Sequence, residues 1–166
     1  MRSIRPYFAR VGLLAVVLTA LVQISAPVTA AATPTTEYAA LYATIHSKLG
    51  DQWKFQATGP NLFDCSGLVW FTFHQNGLQD LIGGYRSVSG YWNWFKARGQ
   101  ISKTNPRLGD LVVWGANQHI GFYIGNGYAI STLTTKRGVS VNPVRGYLNI
   151  PFKAYLHTQI TRPAGS

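Results

Sequence analysis

The chain has one cysteine, Cys65, in 166 residues. That excludes an intramolecular disulfide, and with four scattered histidines it leaves no ligand spacing suited to a metal. Charge is also scarce: Asp, Glu, Lys and Arg make up 12% of the residues, about half the usual share of roughly 25%. Five of them are acidic against 15 basic, for a net charge of +10. No glycine-rich loop ending in lysine is present, which excludes a P-loop phosphate site. The basic residues from Lys48 to Arg162 are scattered, with Lys136-Arg137 the one adjacent pair, and lack the stripe of cations and stacking aromatics that a nucleic-acid surface needs. The apolar stretch at 11–22 has 12 residues, short of the roughly 20 that a membrane-spanning helix requires. No cofactor and no metal are expected.

What the chain does have is core material. Hydrophobic residues make up 46% and aromatics 13%, which excludes a disordered or collagen-like chain. Arg2, Arg5 and Arg10 precede the apolar stretch, and Pro27-Val28-Thr29-Ala30 follows it with small residues at the −3 and −1 positions of a signal-peptidase site. Residues 1–30 are therefore expected to be a cleaved signal, cut after Ala30 or, as second choice, after Ala32. The product is expected to be secreted or held at the cell wall, without stable membrane insertion, as a monomer. Its charge is +7 once the three leader arginines are gone. Such a charge attracts a polyanionic surface such as a cell wall; nucleic acid is not an expected partner. Residues 31–36 read as a linker and 37–166 as a single catalytic domain.

Within that domain, Thr35 or Thr36 can cap a helix running to about Leu49, with Tyr38, Leu41, Tyr42, Ile45 and Leu49 on one face and Gly50 as its stop. A second helix is expected over 65–75, capped by Asp64 and followed by Gly77. The aromatic segment between Gly83 and Gly99 holds room for a short helix. Strands follow at 110–114, 119–124, 128–132 and 138–142, with a last one within 154–160. Asn126-Gly127 is a type I′ hairpin signal. Helices first and strands afterwards make an α+β fold with an antiparallel sheet.

Cys65 sits where a nucleophile would be placed. At the first turn of a helix it meets the positive end of the helix dipole, which favours the thiolate, and unpaired N–H groups there can hold an oxyanion. Gly67 leaves space for a substrate or a neighbouring strand. Among the histidines, His46 and His74 lie on helices with polar neighbours, and His157 falls in the last strand. His119 opens a strand whose alternation puts His119, Gly121 and Tyr123 on one face, with room for a substrate beside Gly121; it is the candidate base.

Three blocks carry a family pattern: residues 59–69 ending in Asp64-Cys65-Ser66-Gly67-Leu68-Val69, the run Arg107-Leu108-Gly109-Asp110-Leu111-Val112, and the run from His119 to Gly127. In order and spacing they resemble the NlpC/p60-type cell-wall cysteine peptidases, over about residues 50–144. The resemblance implies a papain-like α+β domain whose cysteine-bearing helix packs on an antiparallel sheet. It also implies hydrolysis of amide bonds in peptidoglycan stem peptides, between D-γ-glutamyl and the following diamino acid. In that pattern Cys65 attacks as thiolate, His119 carries the proton, the Cys65 N–H helps hold the oxyanion, and Asp64 and Ser66 position the substrate. Asp64 can equally be a plain helix cap.

The sequence departs from the family in three places. Ser131 stands twelve residues after His119, where the family has a polar third member, often histidine. Either Ser131, Asn142 on the next strand, or a bound water would orient the imidazole. Trp53 stands where a tyrosine is usual, and Gln56 where glycine is common. Tyr91, Trp92, Trp94 and Phe95 either pack against the Cys65 helix or line a groove. Two other functions fit the same residues: an N-acetylmuramoyl-L-alanine amidase with the same dyad, and a non-catalytic wall-binding protein on a decayed peptidase scaffold. A toxin against competing bacteria would use the same chemistry.

Overall fold

The computed structural model describes residues 36–146 and 149–165. The expected signal segment at 1–30, and the expected linker up to residue 35, lie outside them. Helix α1 spans Glu37–His46, with the Thr36 hydroxyl accepting from the Ala39 N–H at 3.2 Å. Leu41 and Ile45 are its buried pair, and Tyr38, Tyr42 and Leu49 pack partly against the core. The helix stops before Leu49, and the chain turns through Gly50 at φ 91°. Two short strands, β1 (Gln52–Trp53) and β2 (Leu62–Phe63), pair in parallel before helix α2, Cys65–Gln75. A 3-10 turn at Gln79–Ile82 leads to helix α3, Val88–Lys96.

The rest is sheet. Strands β3 (Ile101–Ser102), β4 (Leu111–Trp114), β5 (His119–Gly125), β6 (Tyr128–Thr132), β7 (Val139–Pro143) and β8 (Phe152–Leu156) form one antiparallel sheet in the order β3-β8-β4-β5-β6-β7. The fold is α+β. Asn126 and Gly127 both have positive φ, 51° and 78°, as the two central residues of a type I′ turn require. The last strand begins earlier than expected, at Phe152, so His157 falls just beyond its end.

Both faces of the sheet are covered, which is why β4 is buried at all four positions. One face, with Leu111, Val113, Ile120, Phe122 and Ile130, belongs to the core that contains Leu68, Val69, Phe71 and Phe73 of α2. The other carries a smaller cluster of Val112, Trp114, Tyr123, Ala129, Val144 and Tyr155. There the Trp114 indole N–H donates to the Val144 carbonyl at 2.6 Å. Gly67 sets how closely α2 can approach its neighbour: a Cβ at that position would collide with the Ala57 carbonyl oxygen.

One buried charge ties the sheet to the C-terminal segment. Asp110 is fully buried at the head of β4. Its carboxylate accepts from Arg162 at 2.9 Å, from His157 Nδ1 at 2.7 Å, and from the backbone N–H groups of Arg107 at 2.9 Å and Thr158 at 3.1 Å. The Arg162 guanidinium also donates to the carbonyls of Leu108, Thr158 and Ile160. Thr161 then pairs with Glu37 and Tyr38, closing the C-terminal segment on the start of α1. Removing one partner of a buried, hydrogen-bonded pair leaves the other charge uncompensated, at about 3–5 kcal/mol. Asp110→Ala is therefore expected to lower unfolding free energy by that order in a urea titration; a loss within about 0.5 kcal/mol, the range of a bland surface change, would refute the role given to this carboxylate.

Candidate active site

The site starts from one cap. Asp64 lies in extended backbone, and its carboxylate accepts from the Gly67 N–H at 2.6 Å and from the Ser66 hydroxyl at 2.8 Å. This fixes the first turn of α2 and therefore Cys65, its first residue. Asp64 and Ser66 are both buried, while Cys65 is partly exposed. The start of β5 is carried to the same place: the Ile120 backbone N–H acts on the Cys65 thiol, favouring its anion. His119 is the residue before it, fully buried and stacked on Trp114 with ring centres 5.1 Å apart.

His119 opens a hydrogen-bonded series across three strands. Its Nε2 lies 2.9 Å from Ser131 Oγ on β6, and the Ser131 hydroxyl donates to Asn142 Oδ1 on β7 at 2.7 Å. The Asn142 amide nitrogen faces the Pro143 carbonyl at 3.5 Å, which orients the side chain with its oxygen toward Ser131. Ser131 has one proton, and Asn142 takes it. Ser131 therefore accepts from His119, the imidazole proton sits on Nε2, and Nδ1 carries the lone pair. Ser131 and Asn142, weighed above as alternatives, stand in series.

Gly121 makes this series possible in a way that corrects the expectation of space for a substrate. A Cβ there would lie 2.8 Å from Ser131 Cβ and 2.9 Å from the Ile130 carbonyl oxygen. The room left by the glycine is taken by Ser131. Gly67 likewise faces the Ala57 backbone.

The electrostatics also differ from the expectation of a preformed thiolate. Burial pushes the Cys65 thiol up to about 11, and the neighbouring Asp64 charge adds to it; the N–H groups of Ile120, Ser66 and Cys65 pull the other way without prevailing. Burial lowers His119 to about 4. At neutral pH the pair rests as thiol and neutral imidazole. The helix N-terminus is present, but desolvation outweighs it.

The cleft beside Cys65 has a volume of about 340 Å³. Trp53 lines it, as does the exposed Phe55, together with Asp64, Ser66, Ser87 to Ser89 at the head of α3, Asn117, Gln118 and Leu133. Gln56 has φ 59°, the left-handed region in which glycine is at ease, so the chain keeps the backbone that the usual glycine would give. Tyr85 was missed in the sequence: its ring meets Trp70 edge-on, and burial and the Asp64 charge raise its pKa while the Ser66 hydroxyl acts the other way. Phe55, Asn117, Gln118 and Leu133 were missed too; Ser87 alone had a local signal, as cap of α3. Tyr91 and Phe95 are core residues, whereas Trp92 and Trp94 are half-buried away from this cleft. Among the described residues no group of three His, Cys, Asp or Glu side chains could hold a metal ion.

Two pH responses follow from the burial of the pair. Iodoacetamide should alkylate Cys65 more slowly than free cysteine at pH 7, with a rate still climbing above pH 9; a plateau reached below pH 7 would contradict the neutral resting pair. His119 has a folded pKa below its unfolded value, so the unfolded chain takes up the proton first. Stability should then fall as pH drops from about 6.5 to about 4, by about 3 kcal/mol at most. Thermal melts across that range test it, and a flat profile would contradict the burial argument.

Residues 50–157 match the NlpC/P60 family. The chain is 37% identical over 112 residues to "Probable endopeptidase p60" of Listeria grayi, covering 66% of this chain and 20% of that protein. It is 34% identical over 86 residues to "Peptidoglycan endopeptidase RipA" of Mycolicibacterium smegmatis, covering 50% of this chain and 16% of that one. The chain thus spans about a fifth or less of the length of these curated relatives. Among solved structures it resembles the P60 domain of antigen MAP1204 from M. avium subspecies paratuberculosis, with a TM-score of 0.59 at 24% identity, over 76% of this chain and 96% of that one.

Proposed function

The chain belongs to the NlpC/P60 family, and from that premise we propose that it is an exported cysteine peptidase hydrolysing amide bonds in peptidoglycan stem peptides, at the D-γ-glutamyl–diamino acid bond. The observation that carries this reading is the series His119–Ser131–Asn142, which leaves the basic lone pair on Nδ1. A decayed scaffold would have no need of an imidazole held in one tautomer. The family and the endopeptidases named above support the substrate class.

The chemistry follows from the neutral pair. As Cys65 Sγ bonds to the substrate carbonyl carbon, its proton passes to His119 Nδ1, and the carbonyl oxygen becomes an oxyanion held by the Cys65 N–H. Proton transfer accompanies attack, since neither ion is stable in the resting site. Ser131 keeps the ring oriented and accepts the Nε2–H of the imidazolium, but carries no charge of its own to stabilise it. The imidazolium gives the proton to the departing amine, and the thioacyl group remains on Cys65. Water then attacks that carbonyl, giving a proton to His119 and releasing the acid and the thiol. Asp64 and Ser66 position the substrate beside the sulfur, with Trp53 as an apolar wall. The charge left after removal of residues 1–30 would draw the protein to an anionic wall.

Digestion of purified peptidoglycan, analysed by mass spectrometry, tests the reading. Fragments cut after D-γ-glutamate are expected, and Cys65→Ala should abolish them. Cuts at the lactyl amide would make it an amidase, and no cleavage across several wall chemistries would leave a binding protein. Ser131→Ala is expected to lower kcat by about 10- to 100-fold with little change in KM, because an imidazole free to turn loses its orientation before it loses binding.

A further inference from the structure

A second cavity lies one turn away from the cleft. At about 630 Å³ it is nearly twice as large, and its lining includes Trp92, Lys103, Gly115, Ala116, Phe152 and Lys153. Gly115 and Ala116 line this cavity, while Asn117 and Gln118, the next two residues of the β4–β5 turn, line the cleft. A side-chain bond crosses the divide: Lys153 Nζ donates to Asn117 Oδ1 at 2.6 Å.

The cavity is cationic. Lys153 rests over the Trp92 ring with Nζ 3.7 Å from its centre, and exposed Lys103 makes no ion pair among the described residues. The whole chain has five acidic residues, and none lines this space. Asp110 is held by Arg162 and His157, Asp64 by the head of α2, and Asp51 stands beside Lys48. Two ammonium groups over a partly apolar lining, with no internal carboxylate, are complementary to an anion that comes from outside.

We propose that this second cavity receives a carboxylate carried by the substrate peptide beyond the residues held in the cleft. The inference rests on the peptidase reading above and deepens it. A peptide advances at most about 3.3–3.6 Å per residue, so a chain leaving the cleft needs only a few residues to pass the four-residue turn. The Lys153–Asn117 bond holds one ammonium at the boundary between the two spaces. Lys103 adds the second charge, and the Trp92 and Phe152 rings supply apolar contact for the peptide stem.

The test uses the full chain carrying Cys65→Ala, titrated calorimetrically at low salt with a stem tetrapeptide bearing a free C-terminal carboxylate and with its C-terminal amide. The acid form is expected to bind about tenfold more tightly. Lys103→Gln should bring it close to the amide while leaving the amide's Kd unchanged; because Lys103 is exposed and makes no ion pair among the described residues, that variant should fold normally. Lys153→Gln serves as the second variant and should act in the same direction. In the active protein, the acid should have the lower KM at similar kcat. Equal affinity for the two peptides, or acid binding indifferent to Lys103→Gln, would overturn the proposal, and the peptidase reading would stand if cleavage persisted. Acid-selective, Lys103-dependent binding without cleavage of either peptide would do the reverse. If a glycerol-phosphate polymer bound in a Lys103-dependent way while the two peptides bound alike, the cavity would belong to that polymer and the proposal would fail.

Discussion

The Asp64 carboxylate is the constraint on which the site depends. One oxygen accepts from both the Gly67 N–H and the Ser66 hydroxyl, so a single group starts α2, aims Ser66 and sets the backbone of Cys65. The apolar part of α2 then buries Leu68, Val69, Phe71 and Phe73 against the core beneath it. Register along the helix fixes the sulfur once that face is buried. The same carboxylate has an opposing effect: a negative charge next to a thiol disfavours the thiolate. Structure and reactivity therefore pull on this residue in opposite directions.

That opposition explains the resting chemistry. A helix N-terminus is worth about 0.3–1 kcal/mol to an anion at an exposed position and rises to about 2 kcal/mol when partly buried. The shift of the thiol to about 11 goes against it, because lost solvation acts on the full charge while the dipole offers only a partial one. The imidazole shows the same dominance of burial with the opposite sign. Ser131 and Asn142 suit such a pair: they orient a neutral ring through neutral hydrogen bonds, and no charge is needed to do it.

Much of this was legible in the sequence wherever the signal was local. The Asp64 cap, the span 65–75 and the Asn126-Gly127 turn each depend on residues within one turn of one another, so short-range patterns suffice. Ser131 was placed by the family resemblance alone, as the position twelve residues after His119; the structure adds that a two-residue hairpin returns β6 alongside β5. What escaped is what depends on register between distant strands. Nothing near Asp110 announces Arg162, 52 residues away. Nothing in the spacing of Ser131 and Asn142 told whether they compete or cooperate, since that turns on the direction of one amide. The thiol's pKa was misread because burial is a property of the assembled site. Family resemblance placed Cys65 and His119 in one pattern; it said nothing of Tyr85 or of the lysines beside Trp92.

The contact between Gly67 and Ala57 bears on how this scaffold can change over generations. At that point backbone meets backbone, so no rotamer can yield and no conservative replacement offers a gradual path. The seat of Cys65 is thus close to all-or-none under mutation. Trp53, Phe55 and Leu133, by contrast, present side chains to the cleft and can be exchanged without moving α2. Diversity can accumulate on those walls, while the geometry around Cys65 is inherited as a unit.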